Sequence, residues 1–182
     1  MKKRTALVLW TVAITLIGGV AFAQGDSEPP KPGPEHKELG YFVGDWTTEG
    51  EAKATPFSPA RKWSGAYSYE WLPGEFFILR RLESNFSDGA TVKSVQITGY
   101  DPESKMYASY GVNSRGGSGL RKTTLTKDTW TNIREQTAGG KTFKIRTTLK
   151  LHSPDAFDYK QEYSEDGKSW TAFAHAKDTK VK

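Results

Sequence analysis

The chain has 182 residues, 26 of them basic and 21 acidic, with a formal charge of +5 and no cysteine. Without cysteine there are no disulfides, thiolate metal sites, cysteine-linked lipid anchors or cysteine nucleophiles. Three basic residues fall within the first four positions; without them the balance is +2, and the remaining basic residues alternate with acidic ones, which argues against a nucleic-acid partner.

Lys2-Lys3-Arg4 is followed by a nearly uncharged apolar run from Thr5 to Val20 and then by Ala21-Phe22-Ala23. This order reads as a secretory signal peptide over 1–23, with a mature chain expected to begin at Gln24. The apolar run is short for a span of about 20 residues, so no stable membrane span is expected after processing. An export signal without cysteine points to a periplasmic or secreted protein. Residues 24–34 are Pro-rich and read as an extended tether. Residues 35–182 are expected to form one domain.

Pro34 suits the first turn of a helix, and Gly40 suits a left-handed stop after it. Gly44-Asp45-Trp46 then opens a strand in which Trp46, Thr48, Gly50 and Ala52 share one face, with Trp46 expected over the helix. Residues 55–59 form a loop. Further strands are predicted near 60–72, 75–84, 91–100, 105–113, 119–126, 129–138, 141–152, 156–164 and 168–178, separated by turn signals such as Pro73-Gly74, Lys127-Asp128, Gly139-Gly140 and Asp166-Gly167. Long strands joined by short turns make an all-β, up-and-down antiparallel barrel of about ten strands, with a short N-terminal plug helix. Closure removes the edges that an open sheet would expose.

Two hairpins allow the facing to be worked out. Trp63, Gly65, Tyr67, Tyr69 and Trp71 alternate with smaller or polar residues, so the aromatic set is interior. A two-residue Pro73-Gly74 turn pairs Trp71 with Phe76, Tyr69 with Ile78 and Tyr67 with Arg80. Pro-Gly is not a preferred residue pair for that turn, and a slip by one would turn Arg81 inward instead. Either way one guanidinium faces the aromatic side. It either anchors an anionic head group or stacks on Tyr67 and reaches toward the rim. In the last hairpin, a two-residue Asp166-Gly167 turn pairs Tyr163 with Trp170. That register makes Phe157, Tyr159, Tyr163 and Trp170 interior, opposite Ala172, Ala174 and Ala176, and leaves His175 outside beside Asp158.

The segments Pro34 to Thr47, Tyr69 to Gly74, Gly99-Tyr100-Asp101-Pro102 and Ser164 to Trp170 together resemble an exported bacterial family known as domain of unknown function 1579. That family is similar to the calycins (lipocalins, fatty-acid-binding proteins and nitrobindins), whose Gly-x-Trp motif matches Gly44-Asp45-Trp46. The resemblance implies a closed barrel with an internal cavity and brings no activity with it. A nitrobindin-like haem protein would need a histidine near the chain end. His175 holds that place, but its expected facing opposes the role.

No catalytic constellation is evident. Three scattered histidines lack metal-ligand spacing. Gly139-Gly140-Lys141-Thr142 lacks the first glycine and the following helix of a phosphate loop. His152, Ser153 and Asp155 are too close in sequence to form a triad. The expectation is a non-enzymatic barrel, without cofactor, that binds a small amphipathic or anionic molecule through Trp46, Trp63, Tyr67, Tyr69, Trp71 and Arg80. The alternative is a filled barrel acting as an envelope interaction module, with no cavity and an apolar outer patch. Oligomeric state is not legible.

Overall fold

A computed structural model describes residues 30–182. The expected leader at 1–23 and the first part of the expected tether lie outside the described residues. Pro34–Glu38 forms the short helix α1, and a 3₁₀ turn continues it through Leu39–Tyr41. Gly40 therefore sits inside that turn and is not a left-handed stop; the positive φ falls at Gly44, where the chain swings into the first strand.

Ten strands follow in chain order: β1 Gly44–Ala52, β2 Arg61–Trp71, β3 Phe77–Phe86, β4 Thr91–Asp101, β5 Met106–Asn113, β6 Ser118–Thr126, β7 Thr129–Ala138, β8 Lys141–Ser153, β9 Ala156–Ser164 and β10 Thr171–Lys180. Each pairs antiparallel with its sequence neighbours, and β1 pairs with β10 to close the barrel. No helix among the described residues is long and apolar enough to cross a membrane.

The plug closes one end. Phe42 lies against Tyr69, Trp130 and Phe157 at centroid distances of 5.1–5.8 Å. The Trp46 indole donates to the Phe42 carbonyl at 2.6 Å and is fully buried. Tyr41 and Tyr107 fix the plug from the other side. The Tyr41 hydroxyl shares its one proton between the Ser153 and Ala156 carbonyls, and the Tyr107 hydroxyl donates to the Glu35 carbonyl. Each polar tip thus has a partner while the Trp46 and Tyr107 rings are buried and the Tyr41 ring is partly buried, so these aromatics carry apolar area at little polar cost. At the far end, Phe57 in the β1–β2 loop caps one side by packing on Phe143, Tyr163 and Phe173.

Both turn-based registers need correction. The β2–β3 loop holds four residues, Pro73 to Phe76, closed by the Leu72 amide on the Phe77 carbonyl, with Gly74 and Glu75 at positive φ. Trp71 therefore pairs with Ile78 and Tyr69 with Arg80. The shift is two residues, and an even shift preserves every facing. Arg80 points inward, and Arg81 lies outside on Glu70.

The β9–β10 turn is also wider than two residues. Asp166 accepts the Lys168 and Ser169 amides, Ser164 accepts the Gly167 amide, and Tyr163 pairs with Thr171. This odd shift flips Trp170 outward, where its ring lies 4.2 Å from the Arg146 guanidinium, and leaves Ala172 exposed. A bulge at Phe173 then restores the parity, so Phe173, Ala174, Ala176 and Asp178 all turn inward. His175 is outside as expected, but it faces Lys160 and lies 3.8 Å from Glu51; His152 is the histidine paired with Asp158, at 2.7 Å.

Candidate ligand-binding site

Between the plug and the far-end cluster the inward positions change character. Leu39, Phe42 and Phe157 form an apolar floor. Above them the lining is polar and cationic, around a cavity of about 390 Å³. That far exceeds the roughly 10–15 Å³ that a single water needs, so the barrel is not filled.

Arg61, Arg80, Arg121 and Arg134 all line this cavity, and Asp178 is its one lining carboxylate among the described residues. The interior cation inferred from β2–β3 is therefore one of several. Arg80 donates to Gln96 at 3.2 Å and stands 5.9 Å above the Tyr69 ring, while its buried Nε has no partner. Arg134 donates to Gln136 at 2.8 Å. Arg61 lies over the Phe86 ring at 4.4 Å. The Asn132 side-chain oxygen and the Trp130 indole nitrogen are likewise buried without partners. Buried polar atoms are normally satisfied, so this cavity offers both donors and an acceptor to a guest.

Asp178 accepts a 2.6 Å hydrogen bond from the Tyr67 hydroxyl. Burial raises its pKa from 3.8 to about 6, against the hydroxyls of Tyr67 and Thr48 and the Arg80 charge, which lower it. Burial, and then Asp178, push the Tyr67 phenol well above its ordinary range, so it stays a donor. Burial raises Tyr159 to about 12 despite three nearby arginines. At pH 7 the cavity thus holds several guanidinium charges against one ionised carboxylate.

The aromatic residues expected at the site separate into two groups. Trp63, Tyr67 and Tyr69 line the cavity with Arg80. Trp46 stacks on Tyr67 beneath the lining and beside the plug, and Trp71 packs near Gly40 of the plug. Arg121, Arg134 and Asp178 were not anticipated. The signal for the two arginines was present: the two-residue Lys127-Asp128 turn fixes Leu125 opposite Trp130, and counting back by twos brings Arg121 and Arg134 onto the same inner face. His175, by contrast, points away from the cavity. Among the described residues no three His, Asp or Glu side chains converge as metal ligands.

The sequence pattern of one protein family, described as "Protein of unknown function (DUF1579)", matches residues 31–180. The chain belongs to this family. No curated protein matches the chain significantly. Among solved structures, it is similar to the S-type phycobiliprotein lyase CPES from Guillardia theta, at 9% identity and TM-score 0.56, covering 81% of this chain and 93% of that one. It is similar also to Rv2717c from M. tuberculosis, at 10% identity and TM-score 0.54, covering 82% and 99%. A designed fluorescence-activating β-barrel aligns over 78% and 95%, at 15% identity and TM-score 0.44. The likenesses to CPES and to Rv2717c support the barrel fold.

Proposed function

We propose that this protein is an exported, non-enzymatic barrel that binds a small anionic or amphipathic molecule in its cavity. The observation that carries the reading is the lining itself: Arg80, Arg121 and Arg134 share the cavity with a single lining carboxylate among the described residues, Asp178, and the buried Arg80 Nε lacks a partner. Uncompensated buried charge is costly, and a bound anion supplies the missing partner. An apolar floor with a few convergent polar groups is the usual composition of a small-molecule pocket.

Native mass spectrometry of protein purified from its own host tests this reading. It should show an anionic adduct that is lost on denaturation. Arg80→Leu should weaken that adduct by about 1–3 kcal/mol, the worth of a charge-assisted hydrogen bond. Unchanged affinity with lost stability would make Arg80 a structural residue. Export has its own check: N-terminal sequencing of the same preparation should begin at Gln24, and a chain beginning at Met1 contradicts it.

A further inference from the structure

The barrel wall is not paired evenly. β6 and β7 pair only from Thr126↔Thr129 to Thr123↔Asn132, whereas β7 pairs with β8 along its whole length and β5 pairs with β6 up to Val112↔Ser118. From there to the far rim, residues 118–122 and 133–138 have no ladder between them. The next inward pair in that register is Arg121 opposite Arg134. Like charges placed directly opposite destabilise a ladder, and neither arginine has a carboxylate partner among the described residues. Burial, then the Arg134 and Arg80 charges, lowers the Arg121 pKa.

The rim beside this parting is bare. Gly111 and Gly119 face each other across β5–β6 on the inner side. A side chain at Gly119 would meet nothing within 4 Å, and one at Gly111 would meet the Arg121 guanidinium at 3.5 Å. On the outer side the parted strands carry Leu120 and Ile133, 66% and 55% exposed. A molecule passing between the strands meets apolar side chains first, then two cations, then the aromatic floor around Phe42, Trp130 and Phe157.

We propose that the β6–β7 parting is the entrance to the cavity, and that Arg121 and Arg134 clamp the oxyanion head of an amphiphile between them, letting the strands close. This rests on the anion-binding reading above and adds where the head group sits and how it gains access. Carboxylate and phosphate heads share the required chemistry, because both accept forked guanidinium bonds. The apolar floor and the Leu120–Ile133 lips favour a head with an apolar tail over a bare inorganic ion.

The test titrates the mature protein with decanoate and with n-decyl phosphate, using decyltrimethylammonium and inorganic phosphate as comparators. It also follows amide hydrogen exchange over 118–122 and 133–138. The proposal predicts fast exchange in the free protein for those amides of the two segments that point into the parting rather than toward β5 or β8, and slowed exchange of the same amides with either anionic amphiphile. It predicts no comparable effect of the cation, and much weaker binding of inorganic phosphate. Whichever anionic amphiphile binds tighter identifies the head group. Arg121→Gln and Arg134→Gln should each lose roughly 10- to 100-fold in affinity and show no further slowing on addition of the amphiphile. Near-UV circular dichroism would establish that both variants keep the native packing.

Protection, in the free protein, of the amides that point into the parting would overturn the entrance. Amphiphile binding that survives both glutamine variants but is lost in Arg80→Leu would overturn the clamp while leaving the anion-binding cavity standing. Equal binding of the cationic amphiphile would overturn the clamp and the cavity reading together.

Discussion

Asp178 gives this interior a pH-dependent cost. Its carboxyl titrates at about 6 in the folded protein against 3.8 when free. Between those values the folded state holds the proton and the unfolded state does not, so stability falls as pH rises from about 4 to about 6. The loss is of order 3 kcal/mol, from roughly 1.4 kcal/mol per pKa unit. Asp178→Asn, which keeps an acceptor for Tyr67, should abolish this slope in denaturation curves measured from pH 4 to 7; a slope that survives assigns the effect elsewhere. Asp178 was within reach of the sequence, since extending Ala174 and Ala176 by two along β10 arrives at it. Arg80 was found because an even register shift cannot change its facing. The unpartnered state of its Nε was not legible, because it depends on what Gln96 and Tyr69 leave unoccupied.

At the scale of elements, strand positions follow from alternation and turn residues, while turn lengths do not. Pro73-Gly74 and Asp166-Gly167 each sit inside a longer loop, because neighbouring side chains and amides complete the hydrogen bonding: Ser164 and Asp166 alone accept three backbone amides in the last turn. A one-residue error there reversed Trp170, which belongs to the outer Arg146–Glu162 cluster. Trp170→Ala should cost about 1 kcal/mol of stability through lost cation–π contact and leave anion affinity unchanged. Denaturant titration and ligand titration of one preparation check both halves, and weakened binding would contradict the outward placement. The bulge at Phe173 had no local sequence signal; it is set by packing against Phe57 and Tyr163.

For the whole molecule, ten strands close on themselves, and the aromatic plug fills one end while leaving the middle open. The outer face is not uniformly polar: Val95 and Val112 are paired neighbours across β4–β5, and Tyr110 joins Ile97 to Leu120 across β4, β5 and β6, all of them exposed. An apolar outer patch was the mark expected of a filled interaction module, but the cavity of about 390 Å³ is what such a module would lack. Barrel closure was legible from the strand count. The cationic excess inside was legible only through the Lys127-Asp128 turn register, because Arg121 and Arg134 lie on strands whose two faces are similarly polar. The most direct test is a fluorescence titration with the anionic dye 1-anilinonaphthalene-8-sulfonate, which combines an aromatic body with one sulfonate. An open, cationic interior predicts saturable binding at one dye per chain, weakened about tenfold or more in Arg80→Leu. An absence of saturable binding, or binding indifferent to the loss of the guanidinium, would contradict it.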